Sequence, residues 1–183
     1  MSAERPGEFD ITFKVYPNGR ASGFLNKLKI GDKVNVFRMG NKRRQPAGFV
    51  GVVAYGVGIT EALPVVMAEL QKTDAKQVGL IWAAQTRGDT FWHTQIEALL
   101  QSYKGRFEFS MILSREKQQG ALHGRVTPGV LNEVFVDRWS ADEEFDRRQT
   151  RFLSVGTKEM MHHTDASLEC IGFPMPRHAL LCY

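Results

Sequence analysis

The feature that most constrains the fold is the stretch of residues 48–64, where an apolar run ends in two glycines and an amphipathic segment follows. Residues 49–54 are short, rich in β-branched side chains and bounded by glycine, as expected of a strand buried on both faces of a parallel sheet. Gly56 and Gly58 can adopt backbone angles closed to other residues, and they let a ligand approach the main chain. The stretch predicts a strand, a glycine turn and a helix.

The start of this predicted helix suits an anion. Thr60 is predicted to cap the helix, and Pro64 is predicted to fall in its first turn, where a missing N–H is tolerated. Unpaired N–H groups and the helix dipole then face the turn and favour a diphosphate. A tight turn without any ligand needs the same glycines, so both interpretations stay open from the glycines alone.

The rest of the chain alternates between strand and helix patterns. The predicted strands cover residues 49–54, 77–83, 107–113, 151–155 and 178–182. The predicted helices cover residues 61–71, 91–103, 128–135 and 158–171. Helical spacing forms two apolar stripes that we assign to the core: Trp92, Ile96, Leu99 and Tyr103 in one helix, and Met160, Thr164, Leu168 and Ile171 in another. Short strands joined by helical crossovers predict an α/β fold with a five-stranded, doubly wound parallel sheet.

Composition and charge exclude several classes of protein. The chain is 43% hydrophobic and 24% charged, no apolar run is long enough for a membrane span, and no targeting segment is recognised, so we expect a cytoplasmic protein. Cys170 and Cys182 lack disulfide or metal-ligand spacing, and we predict no metal site.

Residues 1–46 carry 10 Lys or Arg against 4 Asp or Glu, whereas residues 47–183 carry 14 against 16. The basic front end could attract an acidic redox protein or a polyphosphate. The triplet of residues 42–44, Lys-Arg-Arg, is interpreted as a solvated loop, and no nucleic-acid binding is predicted.

Ligands of such a sheet bind beyond the carboxyl ends of the strands, so the loops there are the place to look for chemistry. These loops contain Gln85-Thr86, Ser114-Arg115 and Gly156-Thr157, and Thr90 is predicted to cap the second helix. A hydroxyl and a planar guanidinium, as in Ser114-Arg115, can hold a phosphate monoester. Arg115 could instead be a surface arginine paired with Glu116 or Asp89.

These motifs, in this order, resemble those of the ferredoxin–NADP reductase superfamily, which includes cytochrome b5 reductase. Residues 56–60, Gly-Val-Gly-Ile-Thr, resemble the family's nucleotide turn, although Tyr55 and Glu61 stand where a glycine and a proline are usual. Residues 113–116, Leu-Ser-Arg-Glu, resemble the element that grips the 2′-phosphate of NADP. The resemblance also covers the front segment, which is interpreted as a partial β-barrel remnant with strands over residues 9–15 and 33–37. It predicts two domains, residues 1–46 for FAD and residues 47–183 for NAD(P).

The resemblance implies a role for each candidate residue. The diphosphate of the nicotinamide dinucleotide is expected at Gly56, Gly58, Ile59 and Thr60, with Gln85 and Thr86 in the second loop, Ser114 and Arg115 at the adenosine end, and Gly156 and Thr157 at the nicotinamide half. FAD is expected at Lys14, Gly19 and Ser22, with Ser22 as a helix N-cap. Tyr183 resembles the catalytic-site aromatic residue that covers the flavin, or it is simply the exposed end of a strand.

The implied activity is hydride transfer from NAD(P)H to FAD and electron delivery to an acceptor. Because of Ser114 and Arg115 we expect NADPH rather than NADH, with NAD as the other possibility. Val155 replaces the cysteine of the family's Cys-Gly-x-x-x-Met element, and the front segment lacks most of a six-stranded barrel. These departures leave two alternatives open: a flavin-less, non-catalytic NAD(P)-binding module, or a fragment of a full-length reductase.

Overall fold

The computed structural model describes residues 8–36 and 46–173. The chain divides into two compact units, Met1–Gly40 and Asn41–Tyr183, which we call the front unit and the sheet unit. The predicted domain boundary between residues 46 and 47 stays a prediction. Within the described ranges, no helix has the length and apolar character that crossing a bilayer requires.

The described residues of the front unit form one short helix, α1 (Arg20–Leu25), which begins after the N-cap Gly19. The strands predicted over residues 9–15 and 33–37 are not formed in the described residues 8–36. A strand needs a partner ladder to satisfy its N–H and C=O groups, and no residue in this range pairs with another in that way. The barrel remnant therefore stays a prediction.

The part of the sheet unit that the structure describes contains five parallel strands, as predicted for an α/β fold of this class. They are β1 (Phe49–Tyr55), β2 (Gln77–Ala84), β3 (Phe107–Leu113), β4 (Leu122–His123) and β5 (Thr150–Val155). The order across the sheet is β4-β3-β2-β1-β5. Four of the five predicted strands are confirmed with ends that differ by at most a residue. The two-residue β4 was not predicted, and the strand predicted over residues 178–182 lies outside the described residues.

The predicted helices are also confirmed, with small changes at their ends. They are α2 (Ile59–Leu70), α3 (His93–Ser102), α4 (Pro128–Leu131) and α5 (Lys158–Cys170). The α4 helix continues into a π-helical segment, Asn132–Asp137. Pro64 lies inside α2 beyond its first turn, so the predicted place of this proline is wrong by one helical turn.

Successive residues of a strand point to opposite sides of the sheet, so the sheet has two apolar faces. Helices cover both of them. Val52 and Trp82 share one core with α2 and α3, and Val53 and Ile81 share the other with α4 and α5. The first predicted apolar stripe packs in the core, as expected. In the second stripe Met160 is 42% exposed, so its assignment to the core is wrong.

Candidate functional site

The ends of the strands are in register, and the loops that follow them meet at the carboxyl edge of the sheet. Ala54 pairs with Trp82 on one side and with Val155 on the other, and Ala84 pairs with Leu113. The candidate site is built from the loops at this edge.

The two glycines after β1 perform different tasks. Gly56 has φ +54°, and a Cβ built on it would meet open space, so this glycine supplies a left-handed turn with an uncovered face. Gly58 caps α2, and a Cβ there would lie 2.6 Å from the carbonyl oxygen of Val155. The second glycine therefore allows the start of α2 to pack closely against the end of β5.

The carbonyl groups of this turn accept hydrogen bonds from the protein itself. The indole Nε1–H of Trp82 donates to the Gly56 carbonyl oxygen (2.8 Å), and the Thr60 hydroxyl donates to the Val57 carbonyl oxygen (2.9 Å). The Ile59 N–H points to the same two carbonyls. An anion at the turn would meet the start of a helix whose nearby carbonyls are already engaged.

One expectation for this turn needs correction. Thr60 is not the N-cap, because α2 begins at Ile59 after Gly58, and the Thr60 hydroxyl closes the turn instead. The Ile59 side chain is fully buried in the core, and the role of this residue in cofactor binding stays a prediction. Sequence reasoning missed Trp82, whose only signal was a tryptophan near the end of an aliphatic strand.

The second loop is rigidified by its own hydrogen bonds. The Asp89 carboxylate accepts from the main-chain N–H (3.2 Å) and the hydroxyl (2.8 Å) of Thr86, which forms a capping box over the turn Arg87–Asp89. Gln85 is exposed, and its carbonyl accepts from the Arg115 N–H (2.9 Å). Gln85 and Thr86 thus lie at the same edge as the first turn, as predicted.

The start of α3 differs from the prediction. Its N-cap is Trp92, with φ +58°, and not Thr90. The Thr90 hydroxyl donates to the Arg87 carbonyl (2.6 Å), so His93 Nε2–H donates to Thr90 Oγ1 (2.9 Å). Burial and the nearby Arg87 charge lower the pKa of His93, and the Glu97 charge opposes them.

Ser114 and Arg115 follow β3 and are both exposed. Their main chain continues the pairing of β3 with β2, because Ser114 N–H donates to the Ala84 carbonyl (3.0 Å). The Glu116 carboxylate accepts from the Arg87 N–H (3.2 Å). The two side chains predicted to hold a phosphate are thus presented together at the carboxyl edge.

The loop after β5 packs against the end of β1. A Cβ on Gly156 would lie 2.9 Å from Cδ2 of Tyr55, so only glycine fits there. Tyr55 hydrogen-bonds Thr164 of α5 through its hydroxyl (2.7 Å), and burial raises the pKa of Tyr55. Thr157 caps α5 by accepting from the Met160 N–H (3.4 Å). Tyr55 and Thr164 were not predicted to contact each other.

The candidate flavin residues lie in the front unit, where Gly19 and Ser22 make local contacts. Gly19, not Ser22, is the N-cap of α1, so the prediction for Ser22 is wrong. The Ser22 hydroxyl accepts from the Tyr16 N–H (3.3 Å). Lys14 is exposed. Tyr183 lies outside the described residues, and its proposed role stays a prediction.

Residues 8–36 and 46–173 contain no group of three or more His, Cys, Asp or Glu side chains able to hold a metal ion.

Sequence comparison identifies a family and several relatives. The family model described as the oxidoreductase NAD-binding domain matches residues 52–166. NADH–cytochrome b5 reductase 1 of Arabidopsis thaliana is 33% identical over 171 residues, which cover 91% of this chain and 58% of the relative. The Mycosarcoma maydis protein of that name is 25% identical over 177 residues, covering 93% and 52%. The chain thus spans little more than half the length of these relatives.

Solved structures with the same fold are also found. The cytochrome b5 reductase domain of Ulva prolifera nitrate reductase has a TM-score of 0.68 at 20% identity, covering 88% of this chain and 66% of that one. A ferredoxin NADP⁺ reductase from Neisseria gonorrhoeae, with bound FAD and NADP, has a TM-score of 0.64 at 19% identity, covering 91% and 68%. At such identities the likeness establishes the fold.

Proposed function

Because the chain belongs to the oxidoreductase NAD-binding family, within the superfamily of ferredoxin–NADP reductases and cytochrome b5 reductases, we propose that it is an NAD(P)H-dependent flavin oxidoreductase. The observation that carries this proposal is the turn after β1. Its left-handed Gly56 presents an uncovered face beside the start of α2, at the edge where Ser114 and Arg115 also emerge.

The dinucleotide is proposed to lie across this edge. The turn of Gly56 and Gly58 would hold the diphosphate through main-chain N–H groups, because the turn's carbonyls are already engaged by Trp82 and Thr60. Ser114 and Arg115 would take the adenosine end. Gly156 and Thr157, after β5, would border the nicotinamide half.

We propose NADPH as the preferred reductant. An exposed guanidinium and an exposed hydroxyl on consecutive residues suit the 2′-phosphate, which NADH lacks. The neighbouring acid, Glu116, uses one carboxylate oxygen to accept from the Arg87 N–H. Several relatives are named as NADH-dependent, so the two nucleotides must be compared directly.

The front unit is proposed to hold FAD. Phe13 and Val15 are 37% and 46% exposed, and they lie on either side of the exposed Lys14 in the sequence. Two apolar side chains and a cation suit a ligand that combines an aromatic ring system with phosphates. Gly19 and Ser22 lie at the start of α1, where the resemblance places the diphosphate. FAD, when bound, supplies the hydride acceptor, whereas the protein sets orientation and excludes water.

One specific observation favours a second candidate function, a flavin-less NAD(P)-binding module. Val155 occupies the position of the family's cysteine, and Tyr55 occupies the position of a glycine at the end of β1. The Tyr55 ring packs against Gly156 and extends to Thr164, so it fills space between the first and last strands of the site.

The electron acceptor is proposed to be an acidic redox protein. Residues 1–46 contain 10 basic and 4 acidic residues, and this net positive charge would speed the encounter of the protein with an acidic partner. Cytochrome b5, the acceptor in the names of the relatives, fits this class. We also propose a cytoplasmic location, from the sequence alone.

The visible absorption spectrum of the purified protein tests the main proposal. Flavin bands that bleach on addition of NADPH are expected of the oxidoreductase. A colourless protein that takes up no added FAD but still binds NADPH would instead establish the binding module. A protein that binds neither FAD nor a nicotinamide dinucleotide would contradict both the oxidoreductase and the binding module.

A further inference from the structure

The bond from the Trp82 indole to the Gly56 carbonyl joins two strands at the point where the nucleotide is proposed to bind. Trp82 lies on β2 and pairs with Ala54 of β1, yet its Nε1–H reaches beyond β1 to the turn that follows it (2.8 Å). Trp82 is fully buried, whereas Gly56 is half-buried, so the donor of this hydrogen bond is shielded from water. A shielded N–H of this kind holds its acceptor firmly, because a buried donor left unpaired is costly.

The geometry of a peptide unit gives this bond a consequence for ligands. The peptide between Gly56 and Val57 is planar and trans, so its C=O and its N–H point in opposite directions. Since the Gly56 oxygen is directed at Trp82, the Val57 N–H is directed away from it. Gly56 has φ +54° and open space where a Cβ would stand, so its backbone could also adopt the flipped peptide orientation. In that orientation the Gly56 carbonyl oxygen, and not the Val57 N–H, would face the anion.

The Trp82 ring is itself fixed by the second loop. Phe91 packs edge-on against it, with the ring centroids 5.4 Å apart, and His93 lies at 6.0 Å. The indole therefore has little freedom to turn away from the carbonyl. The residues that fix Trp82 thus add a second donor, beside the Ile59 N–H, that holds the orientation of a peptide in the turn after β1.

We propose that Trp82 is a positioning residue for the nicotinamide dinucleotide: its indole N–H fixes the Gly56 peptide so that the Val57 N–H can donate to the diphosphate. This inference rests on the proposed function. It adds a role for a core side chain that makes no contact with the ligand itself.

The test is Trp82→Phe, which keeps an aromatic ring against Phe91 and removes the donor together with part of the buried ring. The Kd for NADPH, measured by titration calorimetry, should rise about two- to tenfold, as expected for the loss of one neutral hydrogen bond. In a turnover assay the KM for NADPH should rise while kcat stays close to wild type, because the nucleotide is bound less well but reacts in the same way.

Trp139→Phe is the matched control. Trp139 is also a buried tryptophan, on the opposite side of the sheet, and its Nε1 finds no hydrogen-bond partner within the described part of the chain. Removing that N–H should leave the Kd unchanged. An equal loss of affinity in both variants would overturn the proposal, since it would mark a general effect of core substitution.

A measurement on the wild-type protein covers the case in which Trp82→Phe does not fold. The chain has three tryptophans, so its ¹⁵N–¹H spectrum should contain three indole signals, assignable with the Trp139→Phe and Trp92→Phe variants. A phosphate on the Val57 N–H polarises the peptide and strengthens the bond at its carbonyl. The Trp82 indole proton should therefore move downfield when NADPH binds, while that of Trp139 stays in place.

The outcomes separate this inference from the function on which it rests. A wild-type protein that binds neither NADH nor NADPH contradicts the proposed function. A wild-type protein that binds NADPH, with an unmoved Trp82 signal or an unchanged Kd in Trp82→Phe, contradicts only the role of Trp82.

Discussion

The front unit and the sheet unit both contain apolar segments that predict strands, but in the described residues only the sheet unit forms them. In β1 the side chains Phe49 and Val53 are at most 1% exposed, whereas Phe9 and Ile11 of the front unit are 65% and 57% exposed. Strands β2 and β5 pair with β1 on both sides, while no residue of the range 8–36 pairs in a ladder. An apolar segment therefore forms a strand only where a partner strand exists.

The largest expected effect is on stability, from a pair of Phe→Ala substitutions. Phe135 is fully buried among the rings of Trp139 and Phe152, so Phe135→Ala should cost about 3–5 kcal/mol. Phe9→Ala should cost less than about 0.5 kcal/mol, because its side chain is already in water. Urea denaturation of both variants measures the difference. Equal losses would mean that the front unit has a core of its own.

A pair of Gly→Ala substitutions should have opposite signs in the two units. A Cβ on Gly51 of β1 would lie 2.2 Å from the ring of Phe152, so Gly51→Ala should cost about 1–3 kcal/mol through overpacking. Gly23 lies inside α1 with open space around it, so Gly23→Ala should stabilise that helix by up to about 1 kcal/mol.

Urea denaturation measures the first variant, and amide hydrogen exchange within α1 measures the second. Unchanged or faster exchange in Gly23→Ala would show that α1 is held by something other than its own helix propensity.

Nucleotide selectivity should depend on the sheet unit alone. Arg115→Ala removes a charge-assisted contact to the 2′-phosphate, so the Kd for NADPH should rise about tenfold or more while that for NADH stays unchanged. Lys117→Ala removes a positive charge from the same exposed loop and is the control, for which the Kd for NADPH should change much less. Ser22→Ala in the front unit should alter neither nucleotide's Kd. Similar losses for NADH and NADPH in Arg115→Ala would refute the assignment of the 2′-phosphate.

The smallest expected effect is a pH dependence confined to the sheet unit. The pKa of His93 is lowered by burial and by Arg87, so the unfolded chain binds this proton more readily than the folded one. Stability should therefore fall as the pH drops below about 6.5, the ordinary histidine value, until the lowered pKa is passed. The Tm of His93→Gln should change less than that of wild type between about pH 7.5 and about pH 5.5. The front unit contains no histidine, so it should not contribute to the change of stability over this pH range.

Much of the sheet unit could be predicted because its signals are local. Short segments rich in apolar residues predicted β1, β2, β3 and β5 to within a residue at each end. The two-residue β4 carries no such pattern, since Leu122 and His123 are too few to show a period. Its pairing with β3 is set by the fold rather than by its own sequence.

The candidate site was predictable in its location but not in its detailed contacts. The order of the motifs placed the glycine turn, Gln85-Thr86 and Ser114-Arg115 at one edge, and the structure brings them there. The N-caps of α1, α2 and α3 were assigned to Ser22, Thr60 and Thr90, yet the caps are Gly19, Gly58 and Trp92. Ser and Thr hydroxyls bond equally well to nearby carbonyls or N–H groups, and tertiary packing decides between these uses.

The brevity of β4 bears on how the folded protein avoids self-association. A long bare sheet margin invites a strand from another molecule, and shortening that margin is one natural defence. Here Gly120 and Gly124, with φ +79° and +120°, lie on either side of Leu122–His123. At high concentration β4 itself should therefore offer little backbone for a strand of another molecule to pair with.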